Sequence, residues 1–205
     1  MKLEHVLPAD IERRSFEIIE SELSREIDDE IKPVLLRVIH TTADFDYAGN
    51  LCFSENVIRI LKDALKSGAD IVTDTQMARS GINKKRLASF GGSVHCFMSD
   101  EDVAAAAKSN GTTRAAACME KAALLGKDVI FAIGNAPTAL IKLDELIKAK
   151  KINPIAVIGV PVGFVNVEAA KEIIMKSGVP YIVARGRKGG SNVAAAICNA
   201  VIYNI

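Results

Sequence analysis

The sequence predicts a doubly wound α/β fold with a mostly parallel sheet, formed by a single domain over residues 1–205. Three observations support this. Short apolar runs rich in β-branched residues alternate with segments of helical periodicity, which is typical of βαβ units. Several of the runs lack apolar–polar alternation, as expected for parallel strands that helices cover on both faces. No linker rich in Pro, Gly or Ser divides the chain, and no repeat of fixed period occurs.

Six apolar runs have the length and the flanking turn residues of strands. These runs are residues 34–39, 70–74, 93–98, 128–134, 155–161 and 181–185. Helical patterns lie around and between them. These patterns cover residues 8–29, 54–67, 99–109, 112–126, 137–149, 166–178 and 190–204.

Terminal residues of the helical patterns predict several caps. Ser54 suits an N-cap and Gly68 a C-terminal glycine of the same helix. Ser99 has capping-box spacing to Asp102, and Pro137 is expected in the first turn of its helix.

Composition excludes several classes of protein. The chain is 49% hydrophobic and 25% charged with a formal net charge of +1, whereas a general nucleic-acid binder normally carries a basic excess. Its apolar runs are shorter than the roughly 20 residues of a membrane span, and the N-terminus has no signal-peptide apolar region. We therefore expect a cytoplasmic protein.

The cysteines do not form a metal-binding pattern. Cys52, Cys96, Cys118 and Cys198 are scattered and contain no CxxC pair. This spacing favours reduced structural thiols over a zinc site or a disulfide framework.

In a doubly wound fold, ligands bind outside the carboxyl ends of the strands, and the residues just after each strand are therefore candidates. One such segment, "ARGRKGGSNVAAA", places three cations and two glycines before a helix, which suits a carboxylate or a phosphate. A solvated basic loop with a glycine turn explains it equally well. The residues are Arg185, Arg187, Lys188, Gly189, Gly190 and Ser191.

Nucleotide fingerprints are missing from this Rossmann-like pattern. Lys188 precedes Gly189, so the segment is not a Walker A loop, and no predicted strand leads into GxGxxG. The turns "GNAPTAL" and "GVPVGFVN" let the backbone approach a flat ligand, or they simply connect strand to helix. Asn135 and Asn166 are equally consistent with caps.

The remaining candidates are hydroxyl, guanidinium and imidazole groups. Thr112, Thr113 and Arg114 open a helix and could donate to an acidic ligand, or Thr could be a cap and Arg a surface residue. We assign His5 no role, and His95 is expected to be a packed, hydrogen-bonded strand residue. His40 lies at a predicted strand end, where a histidine is a natural proton donor.

Six ordered segments resemble the precorrin-8X methylmutases of cobalamin biosynthesis, also called cobalt-precorrin-8 methylmutases. The segments are "RVIHTTADFD", "DTQMARSGI", "GTTRAAACME", "AIGNAPTAL", "GVPVGFVNVEAAKE" and "GRKGGSNVAAAICNA". The likeness extends over essentially the whole chain, and six motifs in order are far more specific than any one of them.

The resemblance implies an isomerase that moves a methyl group from C-11 to C-12 of a corrin-type macrocycle. The product is hydrogenobyrinate or its cobalt-containing counterpart, cobyrinate. It also implies a homodimer that uses no cofactor, with His40 as the catalytic histidine. Thr41, Thr42 or Asp44 could orient its imidazole.

The acidic substrate of this family needs polar and cationic contacts. The residues expected to supply them are Arg14, Thr41, Thr42, Arg79, Thr113, Arg114, Gly134, Asn135, Pro137, Gly159, Gly163, Arg187, Lys188, Gly189, Gly190 and Ser191. Two alternatives stay open. One is a non-catalytic tetrapyrrole carrier, and the other is an α/β enzyme for a phosphorylated ligand. The sequence does not decide whether the ring contains cobalt.

Overall fold

The computed structural model describes residues 5–126 and 128–205. A short 3-10 helix, Pro8–Asp10, precedes the first α-helix. The α-helices are α1 Ile11–Glu22, α2 Lys32–Thr42, α3 Tyr47–Asn50, α4 Val57–Lys66, α5 Gln76–Gly81, α6 Lys84–Ala88, α7 Glu101–Ser109, α8 Arg114–Ala122, α9 Pro137–Lys148, α10 Val167–Met175 and α11 Ser191–Tyr203. The strands are β1 Leu51–Phe53, β2 Asp70–Thr73, β3 Val94–His95, β4 Val129–Ile133, β5 Ala156–Gly159 and β6 Tyr181–Ala184.

The described strands form one sheet in the order β1-β6-β5-β4-β2-β3. All neighbouring pairs are parallel except β1 and β6. Along β4, Ile130 and Ala132 face one apolar layer, and Val129, Phe131 and Ile133 face the other. The strand is therefore buried on both faces, and the predicted doubly wound, mostly parallel fold is confirmed.

The strand predicted at residues 34–39 is wrong, because this segment lies inside α2. Its residues Val34, Leu35, Leu36, Val38 and Ile39 are all buried, since α2 packs between α1 and α11. A short apolar run does not distinguish a buried strand from a helix that is buried on most of its surface. Pro33, in the first turn of α2, is the sequence signal that favoured the helix.

Strand β1 occupies the sheet edge instead. It has three residues and pairs antiparallel with β6, with Leu51 opposite Ala184. Three residues are too few to show a period of two, which explains why the sequence did not reveal this strand.

Several helix ends differ from their predictions. The helix predicted over residues 8–29 ends at Glu22. Ser54 is not a cap, because its Oγ accepts a hydrogen bond from the N–H of Tyr181 at the start of β6. Asp100, rather than Ser99, precedes α7. Gly68 has φ +86° after α4, and Pro137 opens α9, as predicted.

His95 is a packed strand residue, as predicted. Its Nε2 lies 3.0 Å from Oδ2 of Asp70, a carboxylate with 1% exposure. The ring also stacks on Phe97, with centroids 5.9 Å apart. These contacts assign His95 to the internal hydrogen bonding of the sheet.

The chain reverses its direction across the sheet between β2 and β4, the position where ligands usually bind in such folds. Here the fully buried Asp74, just after β2, occupies that crevice. Its Oδ1 accepts the Gly134 N–H at 2.8 Å, and its Oδ2 accepts the N–H groups of Asn135 and Ala136 at 2.9 and 2.6 Å. Burial raises the pKa of the Asp74 carboxyl, and the three hydrogen bonds oppose that rise.

The start of α11 closes the same edge of the sheet. The Oγ atoms of Ser191 and Thr75 are 2.7 Å apart. A Cβ on Gly134 would lie 2.7 Å from the Cα of Ser191, and one on Gly189 would lie 2.1 Å from the Val160 carbonyl oxygen. Packing between loops therefore accounts for both glycines. Within the described ranges, no helix is both long enough and apolar enough to cross a bilayer.

We predict that Asp74→Asn lowers the free energy of unfolding by about 2–3 kcal/mol, because one amide N–H₂ would then face backbone N–H donors. Urea denaturation measures this effect. Asp63→Asn, at an exposed position of α4, is the matched control and should leave stability unchanged. Equal stability of the two variants would show that the Asp74 carboxylate does not brace the crevice.

Gly189→Ala is expected to destabilise the protein by about 1–3 kcal/mol, because the backbone of the β5–α10 loop must shift to admit the new methyl group. Gly49→Ala is the control, since a Cβ at Gly49 meets nothing within 4 Å. Thermal unfolding of the two variants gives the comparison. Similar melting temperatures would contradict the close approach of Gly189 to Val160.

Candidate active site at the end of helix α2

His40 lies in the last turn of α2 and is exposed. Its imidazole packs edge-on against Phe16 of α1, with centroids 5.5 Å apart and planes at 86°. No described residue forms a hydrogen bond with its ring nitrogens that would fix the tautomer. The ring is thus oriented by packing and keeps its nitrogens available for a ligand.

A groove of about 230 Å³ lies beside His40 between α1 and the end of α2. Its lining is largely apolar, and it comprises Ser15, Ile18, Ile19, Glu22, Ile39, His40, Ala43 and Phe45. Sites for drug-sized ligands usually measure roughly 300–1,000 Å³. The groove can therefore hold only one side of a ligand as large as a tetrapyrrole.

None of the three neighbours proposed to orient His40 forms a hydrogen bond with its ring, and two of them are bound elsewhere. Thr42 donates its hydroxyl to the Val38 carbonyl at 2.8 Å, and Thr41 is exposed. Asp44 accepts the Asp46 N–H at 3.0 Å through Oδ1 and binds Lys188 through Oδ2. Phe16, which sequence reasoning did not single out, is the side chain that contacts the imidazole. Its position in the helical pattern over residues 8–29 gave no signal of this contact.

Lys188 joins this segment to the loop between β6 and α11. Its Nζ lies 2.6 Å from Oδ2 of Asp44 and 2.6 Å from Oδ2 of Asp46. These hydrogen bonds raise the pKa of the Lys188 ammonium, and the bond from Lys188 lowers the pKa of Asp44. The turn after His40 is thereby held at the carboxyl edge of the sheet, although His40 belongs to a helix.

The other cations of the predicted basic loop are also paired. Arg187 Nε lies 3.0 Å from Glu168 Oε1, and its guanidinium stands over the ring of Phe164. Arg185 Nε lies 3.2 Å from Glu172 Oε1. The loop is therefore nearly charge-balanced, and a ligand carboxylate would compete there with protein carboxylates.

The remaining predicted cations are distributed over three helices. Arg14 pairs with Glu17 at 3.6 Å within α1. Arg79 donates its Nε–H to the Val94 carbonyl at 3.1 Å. Arg114 is exposed at the start of α8, with no carboxylate of the described residues in ion-pair range. Arg114 can therefore bind a ligand without first breaking an ion pair.

The predicted turn residues fall into two groups. Gly134 and Gly159 are buried, so they present no surface to a ligand in this structure. Gly163, Asn135 and Pro137 are at least partly exposed. Gly163 donates its N–H to the Arg187 carbonyl at 3.1 Å, which ties its loop to the basic loop.

Thr113 serves as the N-cap of α8, because its Oγ1 accepts the Ala116 N–H at 3.2 Å. The same hydroxyl donates to Thr138 Oγ1 at 2.9 Å, which joins the starts of α8 and α9. Of the two roles left open for Thr113, the structure shows the cap, and its binding to a ligand stays a prediction. Asn166 stands at the cap position of α10 in a left-handed conformation, without a side-chain cap hydrogen bond.

Neither a phosphate nor a metal finds a ready site among the described residues. The N–H groups at the start of α9, which resemble a phosphate-binding nest, are filled by Asp74. Within residues 5–126 and 128–205, no three His, Cys, Asp or Glu side chains cluster as metal ligands. Burial raises the pKa of the Cys118 and Cys198 thiols to about 12, so they are not thiolates at neutral pH.

Comparison with known proteins identifies the family. The family model described as precorrin-8X methylmutase matches residues 10–204. A cobalt-precorrin-8 methylmutase of Salmonella typhimurium is 46% identical, with 97% of this chain and 96% of the relative covered. A protein of the same name from Priestia megaterium is 45% identical, with 96% of this chain and 88% of the relative covered.

The fold comparison agrees with the sequence comparison. The crystal structure of the precorrin-8X methyl mutase from Thermus thermophilus superposes with a TM-score of 0.85 at 39% identity, and 95% of this chain and 96% of that chain are covered. The resemblance found in the six sequence motifs is confirmed. The chain therefore belongs to the precorrin-8X methylmutase family, isomerases of cobalamin biosynthesis.

Proposed function

We propose that this protein moves a methyl group from C-11 to C-12 of cobalt-precorrin-8 and releases cobyrinate. The family match over residues 10–204 carries this proposal. The two relatives at 46% and 45% identity are named for the cobalt-containing substrate, whereas the Thermus structure at 39% is named for precorrin-8X. This difference favours a ring that contains cobalt as the physiological substrate, with metal-free precorrin-8X as the alternative.

In the proposed mechanism His40 is the general acid. A methyl shift around a conjugated ring needs no nucleophile, but it does need an electron-poor π-system. Imidazolium at His40 donates a proton to a ring nitrogen, the methyl group migrates from C-11 to C-12, and the proton returns to the imidazole. Atoms and electrons balance because substrate and product are isomers. Two observations support the role: the imidazole is exposed beside an apolar groove, and Phe16 holds its plane.

Peripheral carboxylates of the substrate are proposed to bind at the cations around the sheet edge. Arg114 is the first candidate, since it has no ion pair to break among the described residues. Arg187 would exchange its partner Glu168 for a substrate carboxylate, whereas Lys188 would keep Asp44 and Asp46 and donate its third N–H to the substrate. Arginine is well suited to this task because it binds a carboxylate through two parallel hydrogen bonds.

A cytoplasmic homodimer is part of the proposal. The groove beside His40 covers only one side of a tetrapyrrole, so a second copy would complete the site. Phe164 and Val165 are 82% and 79% exposed, respectively, on the loop before α10. They are apolar surface that such an association would bury.

His40→Ala should lower kcat by about 10²–10⁴-fold, because the general acid is lost. Affinity for the product, measured by visible-spectrum titration, should change little, because the imidazole of His40 is only one of many contacts to the macrocycle. His5→Ala is the matched control and should behave as the unmodified protein. Unchanged turnover of His40→Ala would remove His40 from the mechanism, and lost product binding would make it a binding residue.

Parallel incubation with cobalt-precorrin-8 and precorrin-8X tests the substrate. We expect the larger kcat/KM for the cobalt-containing ring, followed through the change in visible absorption. A larger value for the metal-free ring would overturn the choice of substrate. Tight product binding without conversion of either ring would indicate a carrier protein instead.

A further inference from the structure

Lys171 of α10 is a buried cation whose ammonium binds only backbone oxygens among the described residues. It is 1% exposed. Its Nζ donates to the carbonyl oxygens of Gly186 and Lys188, each at 2.8 Å. No described carboxylate lies within ion-pair distance of Nζ, although the nearby charge of Glu168 acts on it.

This arrangement is costly for the fold. Lysines are almost never fully buried unless they are paired with an opposite charge. Burial lowers the pKa of Lys171 to about 8, and the charge of Glu168 opposes that change. An apolar side chain of similar length would fill the space without this desolvation cost. What the ammonium adds is a pair of N–H donors that holds two loop carbonyls at fixed positions.

The two carbonyls belong to the β6–α11 loop, which has no regular hydrogen-bond ladder of its own. Lys188, one of the two residues fixed through its carbonyl, extends its side chain to Asp44 and Asp46. These acids stand in the turn that directly follows α2 and His40. A continuous set of contacts therefore leads from the buried ammonium to the segment that carries the proposed acid.

We propose that Lys171 is a positioning residue for the methyl shift. It fixes the backbone of the β6–α11 loop, so that Lys188 holds the turn after His40 in the reactive position. Lys171 touches neither the groove nor the imidazole and acts only through Lys188. Among the charged residues nearby, Glu168 acts on Lys171 and is paired with Arg187, and Lys188 supplies one of the two carbonyls that the ammonium binds. The proposal rests on the proposed role of His40.

Lys171→Met tests the idea, with Lys176→Met as its control. Lys176 is exposed just after the end of the same helix. We expect Lys171→Met to lower kcat by about 10–100-fold, because a small displacement of a reacting group has an effect of this size. KM should change by less than about threefold, which is the pattern of an interaction used in the transition state. Lys176→Met should match the unmodified protein in both constants.

A double-mutant cycle with Lys188→Met separates positioning from general stability. If Lys171 acts through Lys188, then Lys171→Met combined with Lys188→Met loses no more kcat than the worse single variant. Two results would show that Lys171 has only a structural role and would overturn the proposal. One is that the losses of kcat add in the double variant. The other is that Lys171→Met has a lower melting temperature but an unchanged kcat at temperatures where it is folded.

A separate control distinguishes a folding defect of the variant from a loss of activity. Circular dichroism first checks that Lys171→Met is folded. If it is not, Lys171→Gln, which keeps an N–H₂ donor without the charge, replaces it in the same cycle. Failure of both variants to fold makes Lys171 structural and rejects the proposal.

If the unmodified protein converts neither ring, the proposed function fails. If it does but His40→Ala is fully active, the role of His40 fails while the reaction stands.

Discussion

The hydrogen bonds of Asp74 set the arrangement on which the rest of the sheet edge depends. One buried carboxylate accepts three consecutive N–H groups at the start of α9 and so joins the β2 and β4 loops across the place where the chain reverses direction. In many doubly wound proteins these donors would serve an anionic ligand. Here the protein supplies the anion itself. The start of α11 also packs against this crevice, because Ser191 lies against Gly134 and its hydroxyl contacts that of Thr75.

The crevice is filled, and the proposed acid, His40, lies outside the strands. It stands in the last turn of α2, and Lys188 binds the two acids of the turn that follows. Phe16 of α1 then sets the plane of the imidazole. The proposed acid is thus held by packing on one side and by an ion-pair cluster on the other, while its nitrogens face no protein partner among the described residues.

The charge distribution suits an acidic and bulky substrate. The chain has a net charge of +1, and the cations of the β6–α11 loop are balanced by Glu168, Glu172, Asp44 and Asp46. Exposed pairs of this kind contribute little to stability. The Arg185 and Arg187 pairs can therefore be exchanged for substrate carboxylates at small cost. The contacts of Lys188 to Asp44 and Asp46, and the buried ammonium of Lys171 that binds two carbonyls, are expected to stay in place.

Sequence alone determined the family, the mostly parallel sheet and five of its six described strands, because ordered motifs and apolar periodicity are local properties. The proposal that His40 is the acid also came from one of these motifs. It misassigned residues 34–39, because a short apolar run is expected both for a buried strand and for a helix that is buried on most of its surface. Tertiary structure alone decided the pairing of β1, the partners of Asp74 and Lys188, and the Phe16 contact with His40. Each of these joins residues distant in the chain, and one sequence carries no signal of such distances.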